Sequence, residues 1–312
     1  MISSSFEGFR YHKPLPNFYK IENPKIPKRE ISDDLLFELN SLASKYNFTG
    51  ISYSKLSDDF KKDFNIDIDN VIIFKFFMGD ELIKMEPSRE KGKLMDDEFQ
   101  EYGIHVYEFA DFLRENGFKA DLIHPLADDL SMRAIALQSN DCVITRSNMC
   151  LFKDGITVGF FMIHTSAENL PVKKENYMLW VEDFCSTCGV CIGRCPEGAF
   201  DENEKILRKV CTAHREGCNV CILFCPFYKR GYEKVKKRYD KKNLNRKGGC
   251  HCKHEQLIGL LSEKSKAEKA DSTDTKHCTE EAPRRIEYVL YSADKLDKVY
   301  GSHYCQQHGR KD

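Results

Sequence analysis

The feature that most constrains this chain is a run of eight cysteines between Cys185 and Cys225. The first set reads Cys185-Ser-Thr-Cys188-Gly-Val-Cys191-Ile-Gly-Arg-Cys195-Pro196, and the second is Cys211, then Cys218-Asn-Val-Cys221-Ile-Leu-Phe-Cys225-Pro226. Cys-x-x-Cys repeats also build tetrahedral zinc sites. A third cysteine at the same spacing and a Cys-Pro ending in both sets point instead to iron–sulfur cubes. In that pattern a tight loop supplies three thiolates to one cluster, and the fourth cysteine ligates the neighbouring cluster. Cys185, Cys188, Cys191 and Cys225 are therefore expected to hold one 4Fe–4S cluster, and Cys195, Cys211, Cys218 and Cys221 the other. Six residues separate Cys211 from Cys218 where the bacterial run has two, so the path to that corner is longer. Val190, Ile192, Val220, Ile222, Leu223 and Phe224 are apolar neighbours that would shield the clusters and help to set their potentials.

The chain has 14 cysteines, too many for an ordinary reduced domain unless they bind metal or form disulfides. Met1 to Lys20 has no apolar run and no small-residue cleavage site. Reduced thiols, hence metal, and a cytoplasmic, oxygen-sensitive protein are the expectation. No stretch approaches the roughly 18 apolar residues of a membrane span, so no membrane partner is expected. The 48 basic and 49 acidic residues balance, so net charge says nothing about partners.

Residues 1–30, punctuated by Pro14, Pro16, Pro24 and Pro27, suit an extended arm lying on a later domain. Residues 31–170 read as an α/β domain. Ser32 caps a helix with Leu35, Leu36, Leu39, Leu42, Ala43 and Tyr46 on one face. Gly50 to Tyr53 is a short strand, and Val71 to Phe77 an apolar, β-branched and aromatic run of buried-strand type. A helix over Asp96–Asn116 has Phe99, Tyr102, Val106, Phe109, Ala110 and Leu113 on its stripe, with Gly117 just past its end. A further helix is expected over Leu130–Gln138 and a strand over Ile156–Ile163, after a turn at Asp154-Gly155. Glu168–Glu175 links this domain to the cysteine module, residues 171–230.

Residues 231–312 are expected to form a basic helix and a Cys/His-containing, partly disordered tail. The basic run from Lys229 to Lys247 suits a solvated helix face, an acidic electron donor or a nucleic-acid backbone. Only Tyr232 and Tyr239 interleave with it, so base stacking has little support. Ser262–Pro283 reads as disordered, and Ile286–Leu290 as a short strand. Cys250, His251, Cys252, His254, His277, Cys278, His303, Cys305 and His308 are dense enough to bind zinc but match no firm template. Cys142 and Cys150 read as small buried hydrophobes.

An α/β domain ending in a strand that feeds into this cysteine pattern resembles the superfamily of epoxyqueuosine reductases and reductive dehalogenases. The likeness covers about residues 31–230. Glu115-Asn-Gly117-Phe118-Lys-Ala120 resembles the family's helix end before a strand, and Asp154 to Thr165 its strand before the clusters. The resemblance implies a nitroreductase-like α/β domain followed by a two-cluster ferredoxin-like domain. It implies a cobalamin beside one cluster, and electrons passed singly from an external donor such as a ferredoxin or flavodoxin. It also implies a reductase, with transfer RNA as one family substrate. The chain has no Asp-x-His-x-x-Gly, which is compatible with that family. The family's Ala-Gly-Leu-Gly-x-x-Gly stretch, however, corresponds here to Leu137–Asn148, which has no glycine. Its proton donor would fall near Glu101-Tyr102, where Tyr102 reads as core and Glu101 as solvated. A carrier that has lost the corrinoid site is the alternative function.

Overall fold

The computed structural model describes residues 17–64, 69–123 and 132–247. The expectations for 1–16, for Ser262–Pro283, for Ile286–Leu290 and for the Cys/His tail lie outside the described residues. Described residues up to Tyr232 form one compact unit, and Glu233 onward belongs to a second. Among the described residues no helix is long and apolar enough to cross a membrane.

The elements of the first part are α1 (Asp33–Lys45), β1 (Phe48–Lys55), α2 (Asp58–Phe64), β2 (Asn70–Phe77), α3 (Asp80–Lys84), α4 (Arg89–Glu115) and β3 (Ala120–Ile123). They continue through α5 (Met132–Leu137), β4 (Cys142–Ile144), β5 (Cys150–Phe152) and β6 (Val158–Thr165). The cysteine-rich part holds α6 (Trp180–Cys188), α7 (Val190–Gly193), α8 (Ala213–Glu216), α9 (Val220–Leu223) and α10 (Pro226–Arg230), followed by α11 (Tyr232–Lys247).

The main sheet has the order β1-β2-β6-β3, and every pair in it is antiparallel. Alternating helices and strands read correctly as a mixed domain. That alternation carries no direction for the pairing, which the register supplies. β4 and β5 form a separate antiparallel pair.

The sheet is buried on both faces, which explains why β2 is an apolar run rather than an alternating one. Ile72, Phe74 and Phe76 of β2 join Phe161 and Ile163 of β6 under α1 and α4. Val71 and Ile73 join Met162 and Val158 under α5 and the β4–β5 pair. The first layer is largely aromatic: Phe74 lies 4.7 Å from Phe109, and Phe76 stacks on Tyr102 at 4.0 Å. Tyr102 is thus half-buried and packs against the core on its stripe, while Glu101 is exposed.

Helix ends follow local chemistry. Ser32 Oγ accepts from Leu35 N and caps α1. At the end of α4, Phe118 N donates to Leu113 O and Gly117 N to Arg114 O, with Gly117 at φ +91°. This pair of bonds is a Schellman motif, and it needs a left-handed residue. The start of α4 differs from expectation. It begins at Arg89, capped by Ser88 Oγ on Lys91 N, not at Asp96. The added turns carry Glu90, Lys91, Gly92 and Lys93, which show no apolar period because the buried member is a lysine.

The arm seals the β3 edge. Leu122 N donates to Tyr19 Oη (2.6 Å) and Ala120 N to Asn23 Oδ1 (2.9 Å). Donors on an edge strand are thereby covered. Arg114 lies over the Tyr19 ring and donates to Ile21 O and Asp121.

One charged group interrupts the lower layer. Buried Lys75 of β2 donates to Asp154 Oδ2 at 2.7 Å and reaches Asp141 Oδ2 at 3.5 Å. Ser52 and Lys173 also donate to the Asp141 carboxylate. Burial raises the Asp141 pKa, but the bonds from Lys173 and Ser52 and the Lys75 charge overcome this and leave it lowered.

A lowered carboxyl contributes stability that is complete above the ordinary aspartate range and is lost as pH falls through its folded value. Anaerobic unfolding at a series of pH values should therefore show Asp141→Ala less stable than wild type by about 1–3 kcal/mol at neutral pH. The gap should narrow only below the ordinary aspartate range, and a gap independent of pH would contradict the assignment. At Gly159, a Cβ would sit 2.4 Å from Phe76 Cζ of the paired strand. Gly159→Ala should cost about 1–3 kcal/mol as an overpacked site, read from the denaturation midpoint.

Candidate metal centre

The cysteines lie on short helices set by glycine and proline. α6 presents Cys185 and Cys188. Gly189 at φ +61° turns the chain into α7, which carries Cys191. Cys225 immediately precedes Pro226, the first residue of α10, where a missing N–H costs nothing. Trp180, Phe184, Phe227 and Tyr232 form an aromatic block beside them. Trp180 Nε1 donates to Tyr232 Oη, and Phe184 meets Phe227 at 5.3 Å.

Cys185, Cys188, Cys191 and Cys225 line one recess of about 320 Å³, open solvent at its mouth included. Thr145, Arg146 and Ser147 form another wall. The three cysteines of the first set thus meet the last cysteine of the second. Burial pushes the Cys225 thiol up to about 12, and Cys185 and Cys188 add like-charge repulsion. Cys185 rises to about 11 through burial and the charges of Cys191 and Cys188. The Arg146 backbone N–H and guanidinium act in the opposite direction. That guanidinium is ion-paired with Glu204 at 2.6 Å.

The thiols of the second set feel one another's charge, and Cys221 also feels that of Cys191 in the first set. Burial raises Cys221 to about 12, with Cys191, Cys211 and Cys218 adding to it. Cys211 is raised by burial, then by Cys218 and Cys195. Cys195 Sγ accepts from Ala199 N at 3.3 Å. Among the described residues no three Cys, His, Asp or Glu groups close around a point for a single ion.

The long gap between Cys211 and Cys218 has a structural cause. Its residues form α8 and Gly217, which dock on the first turns of α4. Ser88 N donates to Glu216 O at 2.8 Å. A Cβ at Gly217 (φ +58°) would lie 3.0 Å from Gly92 N and 3.1 Å from Lys91 Cγ, while one at Gly92 would lie 3.2 Å from Arg215 O. Two glycines therefore let backbone meet backbone. Lys91, fully buried, donates to Asn219 Oδ1 at 2.8 Å, to Met85 O at 2.6 Å and to Ile83 O at 3.3 Å. Burial lowers the Lys91 pKa, partly offset by Cys218 and Glu86. Asn219 is itself buried, and its Nδ2 has no hydrogen-bond partner. An orphaned donor in the turn between Cys218 and Cys221 fits a sulfur-rich acceptor there.

Lys91, Asn219 and Arg146 were not legible as site residues, since none belongs to a ligand motif. The nearest signal was the odd six-residue spacing itself. Cys142 and Cys150 are buried on β4 and β5. The thiol of Cys142 is pushed well up by its hydrogen bond with Cys150 and by burial, as apolar packing requires.

The stretch Leu137–Asn148 is filled with side chains. Ser139, Asp141, Cys142, Val143, Thr145 and Ser147 are buried, and Asn140 and Asn148 take the left-handed conformations at φ 54° and 58°. Ser139 Oγ donates to Ala136 O and accepts from Asp141 N. Asp141 holds the ionic network described above. The stretch therefore offers no bare backbone on which a macrocycle would lie.

No protein-family model matches the chain, and no curated protein matches it. Solved structures do. A catabolic reductive dehalogenase superimposes with a TM-score of 0.51 at 13% identity, over 65% of this chain and 33% of its own. The chain has the reductive dehalogenase fold. A second such structure, reported to suggest a mechanism for B12-dependent dehalogenation, gives a TM-score of 0.52 at 12% identity, over 75% of this chain and 37% of its own. An epoxyqueuosine reductase aligns at a TM-score of 0.45 and 14% identity, over 64% and 66%. The chain thus spans about a third of the length of the dehalogenases it matches. The two dehalogenase superpositions show a shared fold over 65% and 75% of this chain.

The docked loop yields a prediction. Gly217→Ala places a side chain at a left-handed position against α4 and should destabilise the protein by about 1–3 kcal/mol, with a lower thermal midpoint. An unchanged midpoint would mean that the close approach of Gly92 and Gly217 is not needed.

Proposed function

We propose that this chain is an iron–sulfur redox protein that carries single electrons through two 4Fe–4S clusters, and that it works as a relay. The supporting observation is the recess in which Cys225 meets Cys185, Cys188 and Cys191. Cysteines from opposite ends of the run share one space, as a cluster-swapped ferredoxin-type module requires. Cys195, Cys211, Cys218 and Cys221 form the reciprocal set. A cubane cluster supplies one-electron transfer at a potential tuned by its surroundings. The chain's own part is to hold the thiols in register, exclude water with Trp180, Phe184 and Phe227, and offer charge and N–H groups to sulfur.

A corrinoid is not part of this relay, because Leu137–Asn148 does not suit one. A corrinoid-dependent reductase is the second reading, favoured by the shared fold with an enzyme tied to B12-dependent dehalogenation. An external donor of electrons, such as a small ferredoxin or flavodoxin, is part of either reading. The basic face of α11 suits an acidic partner better than a nucleic acid, since aromatic residues are sparse there.

Anaerobically reconstituted protein should contain about eight irons per chain. Cys225→Ala and Cys185→Ala should remove the same electron-paramagnetic-resonance signal, and Cys195→Ala and Cys218→Ala the other. Pairing of Cys225 with Cys218 instead would contradict the swapped arrangement. After incubation with cobalamin and desalting, the visible spectrum should show iron–sulfur absorbance without corrinoid bands. Retained corrinoid bands would overturn the relay in favour of the reductase.

A further inference from the structure

Lys91 and Asn219 lie beside the second set of thiols, and no ligand pattern accounts for them. Lys91 makes no ion pair among the described residues. Its three partners are all acceptors: two backbone carbonyls and the Asn219 side-chain oxygen. An ammonium has three N–H donors, whereas a neutral amine has two and a lone pair that would face an oxygen. The geometry therefore matches the charged form. It also fixes the Asn219 amide, because a lysine donor must face Oδ1 and not Nδ2. Nδ2 is then directed elsewhere as a buried donor with no partner in the protein, an arrangement that costs free energy unless an acceptor is supplied.

The acceptor that the sequence supplies is sulfur, since Asn219 sits in the turn between Cys218 and Cys221. Adding an electron to a cluster places one more negative charge on its sulfurs. A fixed cation and an N–H donor to sulfur both stabilise that reduced state more than the oxidised one. Beside the first set, the Arg146 guanidinium near Cys185 is ion-paired with Glu204 at 2.6 Å, which offsets its charge.

We propose that Lys91 and Asn219 are a potential-setting pair for the cluster of Cys195, Cys211, Cys218 and Cys221. The lysine acts through its charge, and the asparagine through its amide N–H donated to a cluster sulfur. That cluster is the higher-potential one, the seat on which a single electron comes to rest. The inference rests on the two-cluster reading and adds the roles of two residues that hold no iron.

Potentiometric titration of the anaerobic holoprotein, followed by electron paramagnetic resonance, tests it. Lys91→Met and Lys91→Gln should lower one midpoint by about 59 mV or more, a tenfold fall in that reduction equilibrium constant for a one-electron couple. The signal that moves should be the one that Cys218→Ala removes, and the other midpoint should stay in place. Asn219→Leu should shift the same midpoint in the same direction, and Lys91→Arg should shift it less than Lys91→Met. In wild-type protein with 15N-labelled asparagine, pulsed resonance should detect nitrogen coupling on that reduced cluster. This readout requires no variant to fold. Unchanged midpoints in variants with full iron content, or no nitrogen coupling, would overturn the pair. A wild-type protein without two cluster signals would remove the two-cluster reading, and this inference with it.

Discussion

Buried thiols brought together in groups cannot all ionise unless something positive lies between them. Cys221 and Cys225 are pushed up to about 12 by burial and by neighbouring thiols. Left as thiols they are weakly polar groups that line a recess, and as thiolates they repel one another. On the proposed reading a multinuclear cationic core would resolve this conflict, because metal binding replaces the protons and turns repulsion into ligation. Gly189, Pro226 and the aromatic block around Trp180 hold thiols from distant points of the chain around one recess.

α4 joins that requirement to the rest of the fold. Its C-terminal half supplies Val106, Phe109, Ala110 and Leu113 to the aromatic layer over the sheet. Its first turns supply the surface on which α8 and Gly217 rest. A single helix therefore fixes the second group of thiols relative to the sheet, through close backbone contact and the buried Lys91 ammonium. Lys91 has a structural role in any case, so the potential-setting role proposed for it must be read from a potential rather than from a melting curve.

Much of this was legible in the sequence. The cysteine spacing is a local pattern and is read directly, and Cys225, Cys185, Cys188 and Cys191 line one recess. β2 and the second half of α4 were visible because their buried residues are apolar. The first turns of α4 were not, because Lys91 is buried without being apolar. β4 and β5 were also missed, as three-residue strands are too short to show a period. The antiparallel order of the sheet is a long-range property that local alternation does not carry. The absence of glycine in Leu137–Asn148 was legible, but its consequence was not. Asn140 and Asn148 take the left-handed turns, and the Asp141 network fills the space alongside.

Native mass spectrometry of the anaerobically purified holoprotein, with metal identity read on the same sample, addresses the central claim most directly. The account predicts a mass increment equal to two four-iron, four-sulfide cubes, about eight irons and eight sulfides. It also predicts that the increment is lost in two equal steps as ligands are removed. An increment of two zinc ions with no sulfide would contradict it.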